Sequence, residues 1–138
     1  MNIHIELAAA YTVSLLEVDC LRPTEKINID RAQSLSDLIS TEGRWTAPIL
    51  IEQRDFLVMD GHHRLFCAKD LGLSFIPCVL LSYRDSNLRV TSWSSPEPFN
   101  VDLIVDAGLS GDLLGFKTTK HKLHGPRPVC SIPLEQLV

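Results

Sequence analysis

Apolar and polar positions follow two different spacings in the first part of this chain, and each spacing predicts an element. Residues 11–18 are rich in β-branched and apolar side chains and are followed by Pro23, which is typical of a strand that leads into a loop. Between residues 29 and 39 apolar side chains recur at helical spacing, and Gly43 can end the helix. A strand, a loop and an amphipathic helix are therefore predicted in this order.

Short apolar runs dominate the middle of the chain. Residues 48–51 and 56–59 flank a polar segment and predict a hairpin of two strands. A second helix is predicted between Gly61 and Gly72, and the apolar run over residues 75–83 predicts a buried strand. The expected order is strand, strand, helix, strand.

The last part of the chain mixes both kinds of element. Alternating side chains over residues 88–93 predict a strand, and residues 101–107 predict a short helix. Gly108, Gly111 and Gly115 are expected to interrupt the chain before a basic segment. Helices and strands alternate without a repeat, so the α+β class is predicted, with the tail packed back on the first half.

Composition and charge narrow the class of protein. The 138 residues suffice for one domain with a real core, and 45% hydrophobic with 22% charged residues is ordinary for a globular protein. A formal net charge of −4 argues against broad attraction to nucleic acid or an anionic membrane, and no apolar run approaches the roughly 20 residues of a bilayer span. The four cysteines lack paired zinc spacing and we recognise no export signal, so a cytoplasmic protein with reduced cysteines is expected.

Candidate chemistry concentrates where a predicted strand meets a predicted helix. The segment is Asp60-Gly61-His62-His63-Arg64. A helix N-terminus presents free backbone N–H groups and a partial positive charge, and an arginine can add a bidentate contact to an anion. Adjacent histidines diverge on a helix, so they suit two phosphate oxygens better than one metal ion. The alternative is a core histidine with Arg64 in a surface ion pair.

Four motifs occur in order along the chain: Pro-x-Glu at 23–25, Asp-Gly-His-His-Arg at 60–64, Thr-x-Trp at 91–93 and Lys-Thr-Thr-basic-His at 117–121. In this order they resemble the ParB N-terminal/sulfiredoxin-like fold and, within it, the free L-serine kinase group. The resemblance covers residues 11–137. The Lys-Thr-Thr composition also suits an anion by itself, since it supplies hydroxyl donors and cations, although a solvated basic strand has the same composition.

The resemblance implies a fold and a reaction. The fold would be a single compact α+β domain over residues 1–138, with a small mixed sheet and flanking helices. Residues 1–10 would be an N-terminal segment, and residues 94–116 a shortened connection in place of a large family insertion. The reaction would be a nucleotide-dependent phosphorylation of the hydroxyl of free L-serine, or a close analogue, to O-phosphoserine. The donor would be ATP or ADP with Mg²⁺, and no protein metal cage is predicted.

The resemblance also assigns roles to residues. Glu25 matches the family's catalytic glutamate and would accept the hydroxyl proton; the alternative is a solvated loop glutamate. Asp60 is the second catalytic candidate: it would bind the substrate amine or help to hold Mg²⁺, or it would only cap the helix. The predicted nucleotide-binding residues are Gly61, His62, His63, Arg64, Lys117 and Thr118. The predicted substrate-binding residues are Trp93, Thr119, Lys120 and His121, with core or rim packing as the alternative for Trp93.

Other branches of the fold fit less well. Sulfiredoxins place a nucleophilic cysteine where His62 stands, and the ParB proteins that bind CTP carry a Gly-Glu-Arg-Arg loop and a helix-turn-helix domain that this chain lacks. Two alternatives remain: a non-catalytic nucleotide-binding or regulatory module, and a nucleic-acid-binding protein, which the acidic charge disfavours. The partners expected are a nucleotide and a small substrate, with no nucleic acid and no membrane. Edge strands of a shortened fold would favour a homodimer.

Overall fold

The computed structural model describes residues 3–6 and 11–138 of the chain. Within them lie three helices, α1 (Ile29–Glu42), α2 (His62–Asp70) and α3 (Val101–Ser110). The strands are β1 (His4–Glu6), β2 (Val13–Glu17), β3 (Arg44–Trp45), β4 (Ile49–Glu52), β5 (Val58–Asp60), β6 (Phe75–Leu81), β7 (Leu88–Ser92), β8 (Thr119–Leu123) and β9 (Val129–Pro133). Residues 1–2 and 7–10 of the predicted N-terminal segment lie outside the described residues.

A mixed four-stranded sheet in the order β2-β6-β4-β5 forms the centre of the fold. Strands β4 and β5 are the predicted hairpin, while β6 pairs antiparallel with β2 and parallel with β4. Buried side chains of α1 and α2 pack in one cluster with Ile49, Ile51 and Ile76, and Leu50 and Val79 pack in a second cluster with Leu123 of β8. Strands β4 and β6 are therefore largely buried on both faces, which agrees with their continuous apolar runs. The largest fully buried side chains in the core cluster beneath the helices are Trp45, Ile49, Ile51, Ile76, Ile132 and Leu137.

Two smaller sheets complete the structure. One has the order β1-β9-β3, and the other is the antiparallel pair β7 and β8. The C-terminal segment packs back on the first half as predicted, because β9 pairs with β3 and the Leu137 carbonyl accepts hydrogen bonds from the N–H groups of Ser74 and Phe75.

Both predicted ends of α1 agree with local chemistry. The Asn28 side chain accepts a hydrogen bond from the Arg31 N–H at the N-terminus. Gly43 ends the helix with φ of 71°, a left-handed conformation that favours glycine. The helix therefore starts directly after the Pro-x-Glu loop and fixes the position of that loop.

The prediction that Gly108 interrupts the chain is wrong, since α3 continues through it to Ser110. A Cβ at Gly108 would lie 2.6 Å from Leu57 Cδ2 and 3.0 Å from Thr24 Cγ2. The absent side chain lets α3 pack closely against the loop that precedes Glu25, so this glycine serves packing. Gly111 ends α3 in the left-handed conformation, with φ of 80°.

Candidate functional site

A cavity of about 670 Å³ lies between the Pro-x-Glu loop, the start of α2 and strand β8. It brings together nearly all predicted site residues: Glu25, Asp60, Gly61, His62, His63, Arg64, Trp93, Lys117, Thr119, Lys120 and His121. It is also lined by residues that sequence reasoning did not assign, among them Lys26, Arg31, Phe116 and Lys122. Segments from three distant parts of the chain thus form one pocket.

The turn between β5 and α2 requires glycine. Gly61 has φ of 119°, and a Cβ there would lie 2.6 Å from the Ile49 Cβ. This close approach places the first residues of α2, His62 to Arg64, along the cavity. Gly61 is itself the N-cap and no side chain caps the helix, so the alternative that Asp60 only caps α2 is wrong. The helix N-terminus therefore remains available to an anion.

Asp60 instead forms an ion pair. Arg127 Nη1 donates to Asp60 Oδ2 at 2.7 Å, and both side chains are about half exposed, at 44% and 48%. Arg127 follows β8 in the turn before β9 and is 67 residues from Asp60 in sequence. No local pattern could have connected these two residues.

The Glu25 carboxylate is buried and held at one oxygen. Its Oε1 accepts hydrogen bonds from the Thr119 N–H at 2.6 Å and the Thr119 hydroxyl at 2.8 Å. Burial raises the pKa of the Glu25 carboxyl, and the nearby Asp60 charge adds to the rise, while hydrogen bonds from Thr119 and from the Thr118 backbone oppose it. A solvated loop glutamate would show neither feature. The site thus holds a buried carboxylate of raised proton affinity in the lining of the cavity, which suits a general base.

The two histidines of α2 point a ring nitrogen at the Pro-x-Glu loop. His62 Nε2 accepts from the Thr24 N–H at 2.9 Å and the Glu25 N–H at 3.1 Å. His63 Nε2 accepts from the Asn28 N–H at 3.1 Å. Burial lowers the pKa of His62 to about 4, and it lowers the pKa of the half-buried His63 as well. In both neutral rings Nδ1 is therefore the nitrogen that carries the hydrogen.

His121 lies deep in the cavity wall beside a tyrosine that the motifs did not include. Its Nε2 is 2.9 Å from the Tyr83 hydroxyl, while its Nδ1 is buried without a hydrogen-bond partner among the described residues. Burial lowers the pKa of His121 to about 4 and raises that of Tyr83. The Tyr83 hydroxyl thus keeps its proton, and His121 is neutral at physiological pH.

Trp93 and two lysines stand at the cavity mouth. The ring is 55% exposed, which is inconsistent with core packing, and its Nε1–H donates to the Thr119 carbonyl at 3.0 Å. The Lys120 and Lys117 ammonium groups lie 5.0 and 5.3 Å from its centroid. Thr118 does not line the cavity. Its hydroxyl donates instead to the Gly115 carbonyl at 2.6 Å, within the preceding turn.

An aromatic cluster borders the same cavity near α1. Phe116 meets the His63 ring edge to face at 5.5 Å between centroids, and the Arg31 guanidinium lies 5.8 Å from the Phe116 centroid. Phe116 directly precedes the Lys-Thr-Thr motif, a position that could have indicated its role. Arg31 carried no such signal, since it is one of several polar residues in the first turn of α1.

The cavity is strongly basic although the chain is acidic. Its charged lining consists of the cations Lys26, Arg31, Arg64, Lys117, Lys120, Lys122 and Arg127 and the carboxylates Glu25 and Asp60. The formal net charge of the whole chain is −4. Clustered cations in a concave site attract anions far more strongly than the net charge indicates. The arrangement suits a polyanion of small size.

Two searches of the described residues bear on metals and membranes. Across residues 3–6 and 11–138, no set of three or more histidine, cysteine, aspartate or glutamate side chains is arranged to hold a metal ion. In the same part of the chain, no helix has the length and apolar character needed to cross a membrane.

Part of this chain is similar in sequence to known kinases. An ATP-dependent L-serine kinase of Staphylothermus marinus is 35% identical over 83 residues, which are 57% of this chain and 33% of the relative. The ADP-dependent L-serine kinase SerK of Thermococcus kodakarensis is 26% identical over 82 residues, 56% of this chain and 34% of that protein. No family model matches the chain.

A solved structure gives the more extensive match. A free serine kinase in complex with AMP superimposes with a TM-score of 0.80 at 14% identity, covering 91% of this chain and 93% of the other. The chain therefore has the fold of the free serine kinase, and the predicted resemblance and the α+β fold class are confirmed. The chain spans about a third of the length of the curated relatives that it matches.

Proposed function

We propose that this chain is a nucleotide-dependent kinase that phosphorylates the hydroxyl of free L-serine, or of a close analogue, to O-phosphoserine. One observation carries the proposal: a buried carboxylate, Glu25, faces a strongly basic cavity with one oxygen fixed by Thr119. Phosphoryl transfer to an alcohol needs a base beside the hydroxyl and positive charge around the transferred group. The names of the relatives support the same reaction.

Glu25 takes the base role in this proposal. Its raised pKa brings the carboxylate closer to the proton affinity that a base needs at neutral pH. As the serine oxygen attacks phosphorus, its proton moves to the Glu25 carboxylate, and the bond from phosphorus to the leaving nucleotide oxygen breaks. Thr119 keeps the carboxylate in position throughout.

The remaining residues divide between the two ligands. The nucleotide phosphates would bind at the start of α2 and at the basic segment, through Gly61, His62, His63, Arg64, Lys117 and Thr118. The histidines would donate from Nδ1–H, since Nε2 already accepts a backbone hydrogen bond. Thr118 would contribute through its place in the basic segment, because its hydroxyl already donates to the Gly115 carbonyl. Serine would bind through Trp93, Thr119, Lys120 and His121.

A magnesium ion fits the donor set in one way. Two cavity carboxylates are too few for a protein cage but enough for an ion that arrives on nucleotide phosphates, and Asp60 is the residue that would hold it. When bound, Mg²⁺ neutralises phosphate charge. Asp60 can alternatively take the serine amine. In either case the ligand replaces Arg127 at Asp60 or shares the carboxylate with it.

Several coarser properties belong to the same proposal. We propose a single domain over residues 1–138, a cytoplasmic location, and a homodimer in which a free strand edge takes part. ATP and ADP both remain candidates as donor, because the relatives include an ATP-dependent and an ADP-dependent enzyme.

A non-catalytic nucleotide-binding module is the second candidate. The Arg127 guanidinium already neutralises Asp60, and the chain matches only a third of the length of its curated relatives. Such a module would bind nucleotide in the basic cavity without forming product.

Product formation decides between the two. Purified protein is incubated with L-serine, Mg²⁺ and ATP or ADP, and O-phosphoserine is measured by mass spectrometry. We expect product with one donor, and equal product from the control Glu42→Gln, which changes an exposed glutamate at the end of α1. Nucleotide binding without product from serine, threonine or homoserine would establish the module instead.

A further inference from the structure

Two adjacent histidines meet the same loop from one helix. The N–H groups of Thr24 and Glu25 donate to His62 Nε2 at 2.9 and 3.1 Å, and the Asn28 N–H donates to His63 Nε2 at 3.1 Å. The residues joined are 35 to 38 positions apart in sequence. Adjacent side chains on a helix diverge, so the two rings reach opposite ends of the loop over residues 24–28.

The donors fix the chemical state of both rings. A backbone N–H can only donate, so each Nε2 must offer a lone pair, and the hydrogen of the neutral ring is then on Nδ1. The surrounding charges are compatible with neutral rings: His121, Asp60 and His63 face His62, and Arg31 and Lys117 face His63. The loop therefore selects one tautomer of each histidine.

The contact to His62 involves the backbone of the proposed base itself. The Glu25 N–H is held by His62, and the Glu25 carboxylate is held by Thr119 from β8. The loop backbone also pairs with Leu114, through hydrogen bonds from the Lys26 N–H to the Leu114 carbonyl and from the Leu114 N–H to the Thr24 carbonyl. His63 holds Asn28, the N-cap of α1, at the other end.

From these contacts we infer that His62 and His63 are positioning residues, which hold the loop over residues 24–28 through Nε2 so that the Glu25 carboxylate faces the cavity. That the two histidines hold the loop rests on the hydrogen bonds alone. That their loss would lower kcat rests on the proposed function. This positioning gives the Asp-Gly-His-His-Arg segment a second role: Nε2 of each histidine holds the loop that contains Glu25, while Nδ1 is on the opposite side of the ring, toward the proposed phosphate.

The structural part is tested by histidine NMR on the intact wild-type protein. Long-range ¹H–¹⁵N correlations distinguish the ring tautomers, and we expect the neutral Nδ1–H form for His62 and His63 at pH 7.5. An Nε2–H form at either ring would overturn the inference for that ring. This measurement needs no activity, so it stands whether or not the protein makes O-phosphoserine.

The catalytic part is tested by a pair of substitutions at His62. Glutamine places its amide near the position of Nε2, whereas asparagine reaches only the position of Nδ1. We expect His62→Gln to keep a kcat about tenfold or more above that of His62→Asn, because a displaced base costs rate even when the ligands bind. Nucleotide affinity should differ much less between the two variants. His124→Gln, which changes an exposed histidine outside the cavity lining, serves as the control.

Equal kcat values in the two variants, or a higher value for His62→Asn, would overturn the positioning role and leave only phosphate contact through Nδ1. If the asparagine variant fails to fold, the ring tautomer of the wild-type protein decides: the Nδ1–H form at His62 supports the inference, and the Nε2–H form contradicts it. A wild-type protein without kinase activity would refute the proposed function, and the tautomers would still decide the positioning.

Discussion

The inner wall of the cavity and its mouth are built in opposite ways. The inner wall consists of Glu25, His62, Thr119 and His121, which are all buried. The mouth consists of Trp93, Lys117, Lys120 and Arg127, whose charged and aromatic groups are largely exposed or pair with one another. Under the proposed function, the inner wall would orient the reacting groups, while the exposed side chains of the mouth would attract the anionic ligand.

The largest effect is expected at the wall. Glu25→Gln keeps an oxygen that can accept from Thr119 but removes the proton acceptor, so kcat should fall by roughly 10²- to 10⁴-fold. Nucleotide affinity should change only a few-fold, because the proposed phosphate contacts are made by other residues. Single-turnover rates and calorimetric titration measure the two quantities. A variant with unchanged kcat would remove Glu25 from the mechanism.

Acid should destabilise the wall through its histidines. Because the pKa of His121 falls from 6.5 to about 4 on folding, its contribution to stability is present above pH 6.5 and is lost as pH falls toward 4. Between pH 7.5 and 5 this loss is about 2 kcal/mol in the free energy of unfolding. His62 has the same shift and should add a similar loss.

Denaturant unfolding at the two pH values measures the effect. His121→Gln should reduce the difference between pH 7.5 and 5 by about 2 kcal/mol relative to wild type. His124→Gln, at an exposed position, provides the matched comparison. An unchanged difference in His121→Gln would show that this histidine is protonated in the folded protein.

A smaller effect is expected from the hydroxyl that holds the base. Thr119→Val removes one of two donors to Glu25 Oε1, and because these hydrogen bonds favour the ionised carboxylate, its pKa should rise further. The acid limb of the kcat profile should move to higher pH and kcat at pH 7 should fall about tenfold. Thr119→Ser retains the hydroxyl and should behave like wild type. An acid limb at the wild-type position would contradict this link.

The smallest effects should come from the mouth. Lys120→Gln removes one exposed cation from the proposed serine site, so the KM for serine should rise only a few-fold and its dependence on salt should weaken. Lys69→Gln, an exposed lysine at the end of α2, is the matched control. A loss of activity in Lys120→Gln as large as the loss in Glu25→Gln would contradict the distinction between the inner wall and the mouth.

The sequence predicted those elements whose ends are set by neighbouring residues. The end of α1 at Gly43 and the glycine turn before α2 follow from residues adjacent in sequence. Strand β3 has only two residues, and it exists because β9 pairs with it across the fold. Pairing of this kind leaves no pattern in so short a segment.

The same division holds for the site. The motifs supplied many of the residues that line the cavity, but not what their atoms contact. Arg127 at Asp60, Tyr83 at His121 and the loop amides at the two histidines all join residues 35 or more positions apart. These contacts decide which nitrogen of a histidine is free and which carboxylate is already neutralised.

The central claim is that the hydroxyl oxygen of serine attacks phosphorus. The most direct test supplies L-serine labelled with ¹⁸O in its hydroxyl group, together with Mg²⁺ and the donor nucleotide, and analyses the product by mass spectrometry. Attack by the hydroxyl predicts O-phosphoserine that retains the label in its ester oxygen. Nucleotide hydrolysis with unmodified labelled serine would contradict the account.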